Sequence, residues 1–166
     1  MMVDGIGRTK AAQIKASFEL GRRLMQTPTE KHPQVKTPAD MANLLIPRMR
    51  FLEREELWLM LMNARSRVTR IQTLYKGNLN SLAVRVNEIF APAIQQNAFS
   101  IAIAHNHPSG DPTPSTEDIH FTRQLVKAGQ LLQIKLEDHI VIGDNKYVSL
   151  RERGLVNFSS FGGWEK

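Results

Sequence analysis

The apolar residues of the chain follow two patterns, helical spacing and short continuous runs. Residues 9–25 carry apolar side chains at helical spacing, with Ile14 and Phe18 on one side. Leu57-Trp-Leu-Met-Leu-Met62 and Phe99-Ser-Ile-Ala-Ile-Ala104 are continuous runs of strand length, which indicate buried strands. The predicted helices are 9–25, 37–45, 84–97 and 115–128, and the predicted strands are 57–62, 67–72, 99–104, 131–136, 139–142 and 146–149.

Cap and turn residues mark the ends of several elements. Thr37-Pro38 fits an N-cap followed by the first helical residue, and Ser115 opens the fourth helix. Gly129 is predicted to stop that helix, and Asp144-Asn145 to form a tight turn between the last two strands. The order of elements predicts an α/β fold of the mixed α+β kind, a mixed β-sheet flanked by helices.

The chain is expected to contain one main domain, residues 37–156, and three accessory segments. Residues 27–36 hold two prolines and one apolar residue, which indicates a linker. Residues 1–26, which include Gly5-Ile-Gly7 before the first helix, resemble the second half of a helix-hairpin-helix element and are interpreted as a remnant of one. Residues 157–166 are rich in Gly and Ser and form a tail.

Length and composition exclude several classes of protein. At 166 residues the chain suits one domain with its own core, and no apolar run approaches the roughly 20 residues of a membrane span. The first residues lack the basic and apolar regions of a signal peptide. Because cysteine is absent, a metal would need histidine and carboxylate ligands, and a cytoplasmic location is expected.

The net charge of +6 permits an acidic partner, including nucleic acid. The arginines and lysines are scattered, however, and no aromatic residues are interleaved with them to stack on bases. We therefore expect any nucleic-acid contact to be weak, salt-sensitive and independent of base sequence, because charge alone contacts only phosphates. The oligomeric state is left open.

Two histidines and an aspartate follow the second apolar run at short intervals. His105 and His107 are two residues apart at a strand end, so their side chains share a face. After a proline-rich loop, Ser115 opens a helix with Asp118 in its first turn. Two imidazoles and a carboxylate suit a catalytic zinc, which takes three protein ligands and leaves one position for water. The same residues also suit a helix capping box and a pair of solvated histidines.

The spacing of these residues resembles the signature of the JAMM (JAB1/MPN) metalloprotease family. That signature is His-x-His, seven intervening residues, Ser, two residues and Asp, and residues 105–115 are most similar to its bacterial RadC branch. Leu136-Glu-Asp-His-Ile-Val-Ile-Gly-Asp144 and Lys146-Tyr-Val-Ser-Leu150 also match, so the resemblance covers roughly residues 37–153. The contiguous His-Asn-His is not an HNH nuclease site, whose three residues are far apart in sequence.

The resemblance implies a JAB1/MPN fold, related in architecture to the cytidine deaminases, and a zinc metallopeptidase that cleaves a peptide or isopeptide bond in a peptide or protein substrate. Glu55 would activate the water, with Glu56 as the alternative because adjacent strand residues face opposite ways. Ser115 would donate to the oxyanion. The implied Zn²⁺ ligands are His105, His107 and Asp118, with water as the fourth ligand.

Some features depart from the family pattern or remain open. RadC-like proteins commonly carry His-Pro-Arg-Glu before the middle helix, where this chain has Arg85-Val-Asn-Glu88, so substrate choice is open. Asn63 stands where an Asp is usual, and His139 is interpreted as structural. The alternatives to a peptidase are a nucleic-acid-associated protein of the RadC type with a role in DNA repair, and a metal-free scaffold.

Overall fold

Five strands form one sheet in a computed structural model of the chain, which describes residues 7–26, 32–77 and 84–158. Helices accompany the sheet, so the expected mixed α+β fold is confirmed. The strands are β1 (Glu56–Met62), β2 (Val68–Lys76), β3 (Ser100–Asn106), β4 (Lys135–Gly143) and β5 (Lys146–Ser149). The helices of the described residues are α1 (Arg8–Gln26), α2 (Pro38–Met49), α3 (Val86–Gln95) and α4 (Thr116–Leu132).

The sheet is mixed, with the strand order β2-β1-β3-β4-β5. Its central strand, β3, is antiparallel to β1 and parallel to β4. Because parallel neighbours need a long crossover, the chain between β3 and β4 forms α4, which packs back on β4. β3 is buried at every position, as its continuous apolar run predicted.

Each face of the sheet has its own hydrophobic core. On one face, Leu57, Leu59 and Ile103 pack with side chains of α3 and α4. On the other face, Met60 and Ala104 pack with side chains of α2. Alternate residues of β1 and β3 therefore point to opposite faces, as the pleat of a strand requires.

α1 belongs to a separate unit, since the chain divides between residues 31 and 32. Its predicted helical structure is confirmed. Phe18 is exposed, and Glu19 pairs with Arg22 and Arg23 within one helical turn. None of the described helices is both long enough and apolar enough to cross a bilayer.

Gly129 does not end α4, so that prediction is wrong. The helix continues to Leu132, and the left-handed Gln133 (φ 57°) ends it. Gly129 is buried, and a Cβ atom there would lie 2.5 Å from the carbonyl oxygen of Ile134 and 3.4 Å from Cζ of Phe90. Glycine is therefore present for close packing against α3 and the chain that enters β4, not for a change of backbone direction.

The sequence predicted two strands, over 131–136 and 139–142, where the structure has the single strand β4. The first prediction is wrong at its start, because Leu131 and Leu132 belong to α4 and β4 begins at Lys135. The apolar pattern is interrupted by Asp138, whose carboxylate is nevertheless buried. It accepts hydrogen bonds from the Ser149 hydroxyl and from the backbone amides of His139 and Arg151. Because its bonds are made within the protein, this acidic residue is accommodated inside the strand.

Other boundaries also differ from the predictions. α2 extends past the predicted end at Leu45, through Pro47 to Met49. The Met49 side chain is fully buried in the core that α2 forms with Met60 and Ala104. In the segment predicted as a linker, Val35 is 3 % exposed and belongs to the same core. In the predicted tail, Phe158 is 3 % exposed and packs with α3 and α4. Gly5, residues 27–31 and residues 159–166 lie outside the described part.

We predict that Gly129→Ala destabilises the domain by roughly 1–2 kcal/mol. Alanine favours the helix by about 1 kcal/mol, but overpacking a core typically costs about 1–3 kcal/mol, and here the Ile134 backbone must move. Urea unfolding followed by circular dichroism measures the change. Lys127→Ala, at an exposed position of the same helix, is the control and should leave stability nearly unchanged. A Gly129→Ala protein as stable as the control would contradict the packing argument.

Candidate metal centre

The two histidines lie at the end of the central strand. β3 extends two residues past its predicted end, because its pairing with β4 continues to Asn106. His105 is 1 % exposed and stands opposite Leu57 of β1. Directly opposed residues share a face, so the His105 imidazole lies on the α4 side of the sheet. His107, two residues on, lies on the same side and is partly exposed.

α4 begins with the capping box that the sequence predicted. Ser115 Oγ accepts a hydrogen bond from the Asp118 amide at 3.1 Å. Asp118 Oδ2 accepts from the Ser115 amide at 2.8 Å and from the Ser115 hydroxyl at 2.7 Å. These bonds satisfy amides of the first helical turn and hold the Asp118 carboxylate in one orientation.

Three potential ligand atoms converge between β3 and α4. The two Nε2 atoms of His105 and His107 are 3.0 Å apart. Asp118 Oδ1 lies 3.5 Å from His105 Nε2, and Asp118 Oδ2 lies 4.0 Å from His107 Nε2. These three residues form a group that could hold a metal ion. The three side chains singled out in the sequence are thus brought together.

The donor set fits zinc. With one ligand atom taken from each residue, the two imidazole nitrogens and the carboxylate oxygen all lie within 4.8 Å of one another, and these are ligand types that zinc binds in proteins. The far ring nitrogens already have partners: His107 Nδ1 donates to the Asp111 carbonyl at 2.7 Å, and His105 Nδ1 lies 2.8 Å from His139 Nε2. Two ring nitrogens that face each other at 3.0 Å repel unless a proton or a cation lies between them.

Burial and charge act on the pKa values in opposite directions here. Burial raises the pKa of Asp118, but the hydrogen bond and charge of His105, with the bonds from Ser115, outweigh it and hold that pKa well below its usual range. Burial lowers the pKa of the His139 imidazole well below its ordinary value. The Asp118 carboxylate is therefore ionised, and the buried His139 imidazole that lies behind His105 is neutral.

The two glutamates at the start of β1 occupy different environments. Glu56 is 8 % exposed, and its carboxylate accepts from Trp58 Nε1 at 2.9 Å and lies 3.2 Å from Lys76 Nζ. Residue 55 is two positions before Leu57, so it falls on the same face of the sheet as His105. The register thus favours Glu55 over Glu56 as the residue near the histidines, and its role as the base stays a prediction.

Comparison with known proteins identifies the family of the chain. Residues 35–155 match the RadC-like JAB domain. The chain belongs to the RadC-like JAB domain family. It is 51 % identical over 153 residues to a UPF0758 protein of Chloroflexus aurantiacus and 49 % identical over 152 residues to one of Roseiflexus castenholzii. The alignments cover 92 % of this chain, with 67 % and 65 % of the two relatives, so the chain spans about two thirds of their length.

In this RadC-like JAB domain, Asn106 is a structural feature of the site that sequence reasoning missed. Its Oδ1 accepts from the Glu56 amide at 2.9 Å, and its Nδ2 donates to the Arg54 carbonyl at 3.1 Å and to the Leu52 carbonyl at 3.4 Å. The amide therefore holds the backbone on both sides of Glu55. A polar residue inside a buried strand was the available signal, but its partners lie about 50 residues away in sequence.

Gly143 is a second feature that the sequence did not reveal. A Cβ atom there would lie 2.5 Å from the Gly110 carbonyl oxygen and 2.6 Å from the Pro112 nitrogen. The absence of a side chain lets the loop between β3 and α4 lie directly on the end of β4. That loop supplies the Asp111 carbonyl to which His107 donates, so Gly143 helps to orient a proposed ligand.

We predict that Ser115→Ala lowers the unfolding free energy by about 0.5–2 kcal/mol, because an N-cap acceptor is lost. Ser115→Thr keeps an acceptor oxygen and a hydroxyl donor, so it should retain most of the stability. Both are compared by urea unfolding of metal-free protein, which separates the cap from any metal effect. Equal stability of the alanine variant and the parent would show that the cap contributes nothing.

Proposed function

We propose that this protein is a zinc-dependent hydrolase that cleaves a peptide or isopeptide bond. The observation that carries the proposal is the convergence of His105, His107 and Asp118, with the outer nitrogen of each histidine already engaged by another group. Two imidazoles and one carboxylate, with a position left for water, are the ligands of a catalytic zinc and not of a closed structural site. Membership of the JAB domain family supports the same assignment.

Zinc held by these residues would lower the pKa of a coordinated water to about 7. In our proposal the Glu55 carboxylate would act as the general base for the attacking water and then as the general acid for the leaving amine, so that the proton removed from water ends on the amine. The β1 register and the hydrogen bonds of Asn106 around residue 55 support this assignment.

Ser115 would cap α4 and would also donate a hydrogen bond to the oxyanion. Its hydroxyl has a single hydrogen, so it cannot donate to Asp118 and to an oxyanion at the same time. That hydrogen is donated to Asp118 Oδ2 in the resting structure. To donate to an oxyanion, the hydroxyl must turn away from Asp118, while the oxygen keeps its bond from the Asp118 amide. Loss of an oxyanion donor typically costs on the order of 10²–10³ in turnover, far more than the loss of a cap would explain.

The nucleic-acid alternative has less support than the hydrolase. It depends on the net charge of +6, which is carried by arginines and lysines scattered along the sequence without interleaved aromatic residues to stack on bases. Arg22 and Arg23 bind Glu19, and Arg151 binds Glu137. Paired arginines attract phosphates less strongly, so these three give the nucleic-acid alternative little support.

The metal assignment predicts one zinc per chain, which is lost in His105→Ala and in Asp118→Ala. Removing one of three ligands leaves too few groups to hold the ion. Elemental analysis after dialysis against zinc measures the stoichiometry. His120→Ala, an exposed histidine of α4, is the matched control and should keep its zinc. Stoichiometric zinc in the folded His105→Ala protein would remove the assignment.

If Glu55 is the base and not a ligand, we predict that Glu55→Gln keeps zinc but loses hydrolysis, because the three ligands are intact and the base is gone. Glu56→Gln is the matched control, since this carboxylate is engaged with Trp58 and Lys76, and its hydrolysis should persist. A panel of peptides and isopeptide-linked substrates gives the turnover. Loss of zinc in Glu55→Gln would make residue 55 a ligand. Normal turnover in Glu55→Gln with loss in Glu56→Gln would exchange the two roles.

A further inference from the structure

A line of hydrogen bonds runs from the proposed centre into the core. His105 Nδ1 lies 2.8 Å from His139 Nε2, and His139 Nδ1 lies 2.6 Å from Thr122 Oγ. Thr122 Oγ in turn lies 2.6 Å from the Asp118 carbonyl oxygen. His105, His139 and Thr122 are each at most 1 % exposed, so water does not compete for these bonds.

The direction of each bond follows from counting hydrogens. A carbonyl oxygen only accepts, so the one hydrogen of the Thr122 hydroxyl is donated to the Asp118 carbonyl. Thr122 Oγ must then accept from His139 Nδ1, which therefore carries a hydrogen. If His105 Nε2 is to hold a metal, the one N–H of that ring is on Nδ1. Two N–H groups cannot share the 2.8 Å contact between the rings, so His139 Nε2 accepts from His105 Nδ1.

We propose that Thr122 and His139 are positioning residues that fix the tautomer and ring orientation of His105, so that its Nε2 lone pair points at the metal position. The proposal rests on the proposed zinc site. Histidine ligands usually donate their second N–H to a carboxylate, a carbonyl or water. His107 follows that rule through Asp111, whereas His105 uses a second, buried histidine held by a threonine.

This relay of hydrogen bonds, through His105, His139 and Thr122, also joins α4 and β4 to the end of β3. Thr122 lies one turn after Asp118 in α4 and bonds to the Asp118 carbonyl, while His139 belongs to β4. A change at Thr122 therefore reaches His105 only through His139 or through the backbone of α4. This separation allows the relay to be tested without changing a residue next to the metal position.

The first test is NMR of the metal-free protein labelled with ¹⁵N in its histidines. Long-range ¹⁵N–¹H correlation spectra distinguish a protonated ring nitrogen from a bare one. We expect Nδ1 to be protonated in both His105 and His139, and Nε2 of His139 to be bare. A bare Nδ1 in His105 overturns the proposal. Because no zinc is used, this outcome is independent of whether the chain binds metal.

The second test compares paired variants by zinc competition with a chelator. Thr122→Val and His139→Leu remove the bonds but keep similar volumes, and should weaken zinc binding about 10–100-fold. Thr122→Ser keeps the hydroxyl, and His139→Gln offers an acceptor to His105 and a donor to Thr122, so both should bind within a few-fold of the parent. Circular dichroism confirms folding, and if His139→Leu fails to fold, the Thr122 pair decides.

Unchanged affinity in folded Thr122→Val, with His105 Nδ1 still protonated, would assign these residues to the core alone. A parent protein that binds no zinc would remove the proposed function instead, while the NMR result would still decide the relay. Weakened binding in Thr122→Val that Thr122→Ser restores would establish the relay, since a packing defect would not depend on the hydroxyl.

Discussion

The fold and the site both depend on the burial of the C-terminal end of β3. A strand that is paired on both sides and covered on both faces has no water to satisfy polar side chains, yet β3 ends in His105 and Asn106. Each must find partners in other segments of the chain. Successive strand residues point to opposite faces of the sheet. His105 lies on the α4 face, where it contacts His139, and Asn106 lies on the other face, where it bonds to the backbone before β1. The two residues thereby connect α4, β4 and the chain before β1 to the end of β3.

Local features of this arrangement could be predicted from the sequence. The buried strand, the spacing of His105 and His107, and the capping box of Ser115 and Asp118 all lie within residues 99–118. The family resemblance, carried by the same short motif, is confirmed. The mixed sheet with flanking helices also follows the predicted order of elements, except that the single strand β4 takes the place of two predicted strands.

The parts that sequence could not predict depend on contacts across the fold. Gly129 is an ordinary stop signal in a linear pattern, and only the approach of the Ile134 backbone shows why it lies inside a helix. His139 is interpreted as structural from its motif alone, whereas its position behind His105 requires the parallel register of β3 and β4. Hydrophobic periodicity specifies which face a residue occupies, but not which polar partner it meets there.

The choice of partners around the histidines also bears on reactivity. A carboxylate behind a histidine ligand would add negative charge near the metal, whereas His139 and the Asp111 carbonyl are neutral groups. The charge of zinc at this site would thus be offset by Asp118 alone among its three ligands. A less compensated ion withdraws more electron density from a bound water and favours its ionisation. A neutral imidazole behind His105 would therefore support the water activation that we propose for this site.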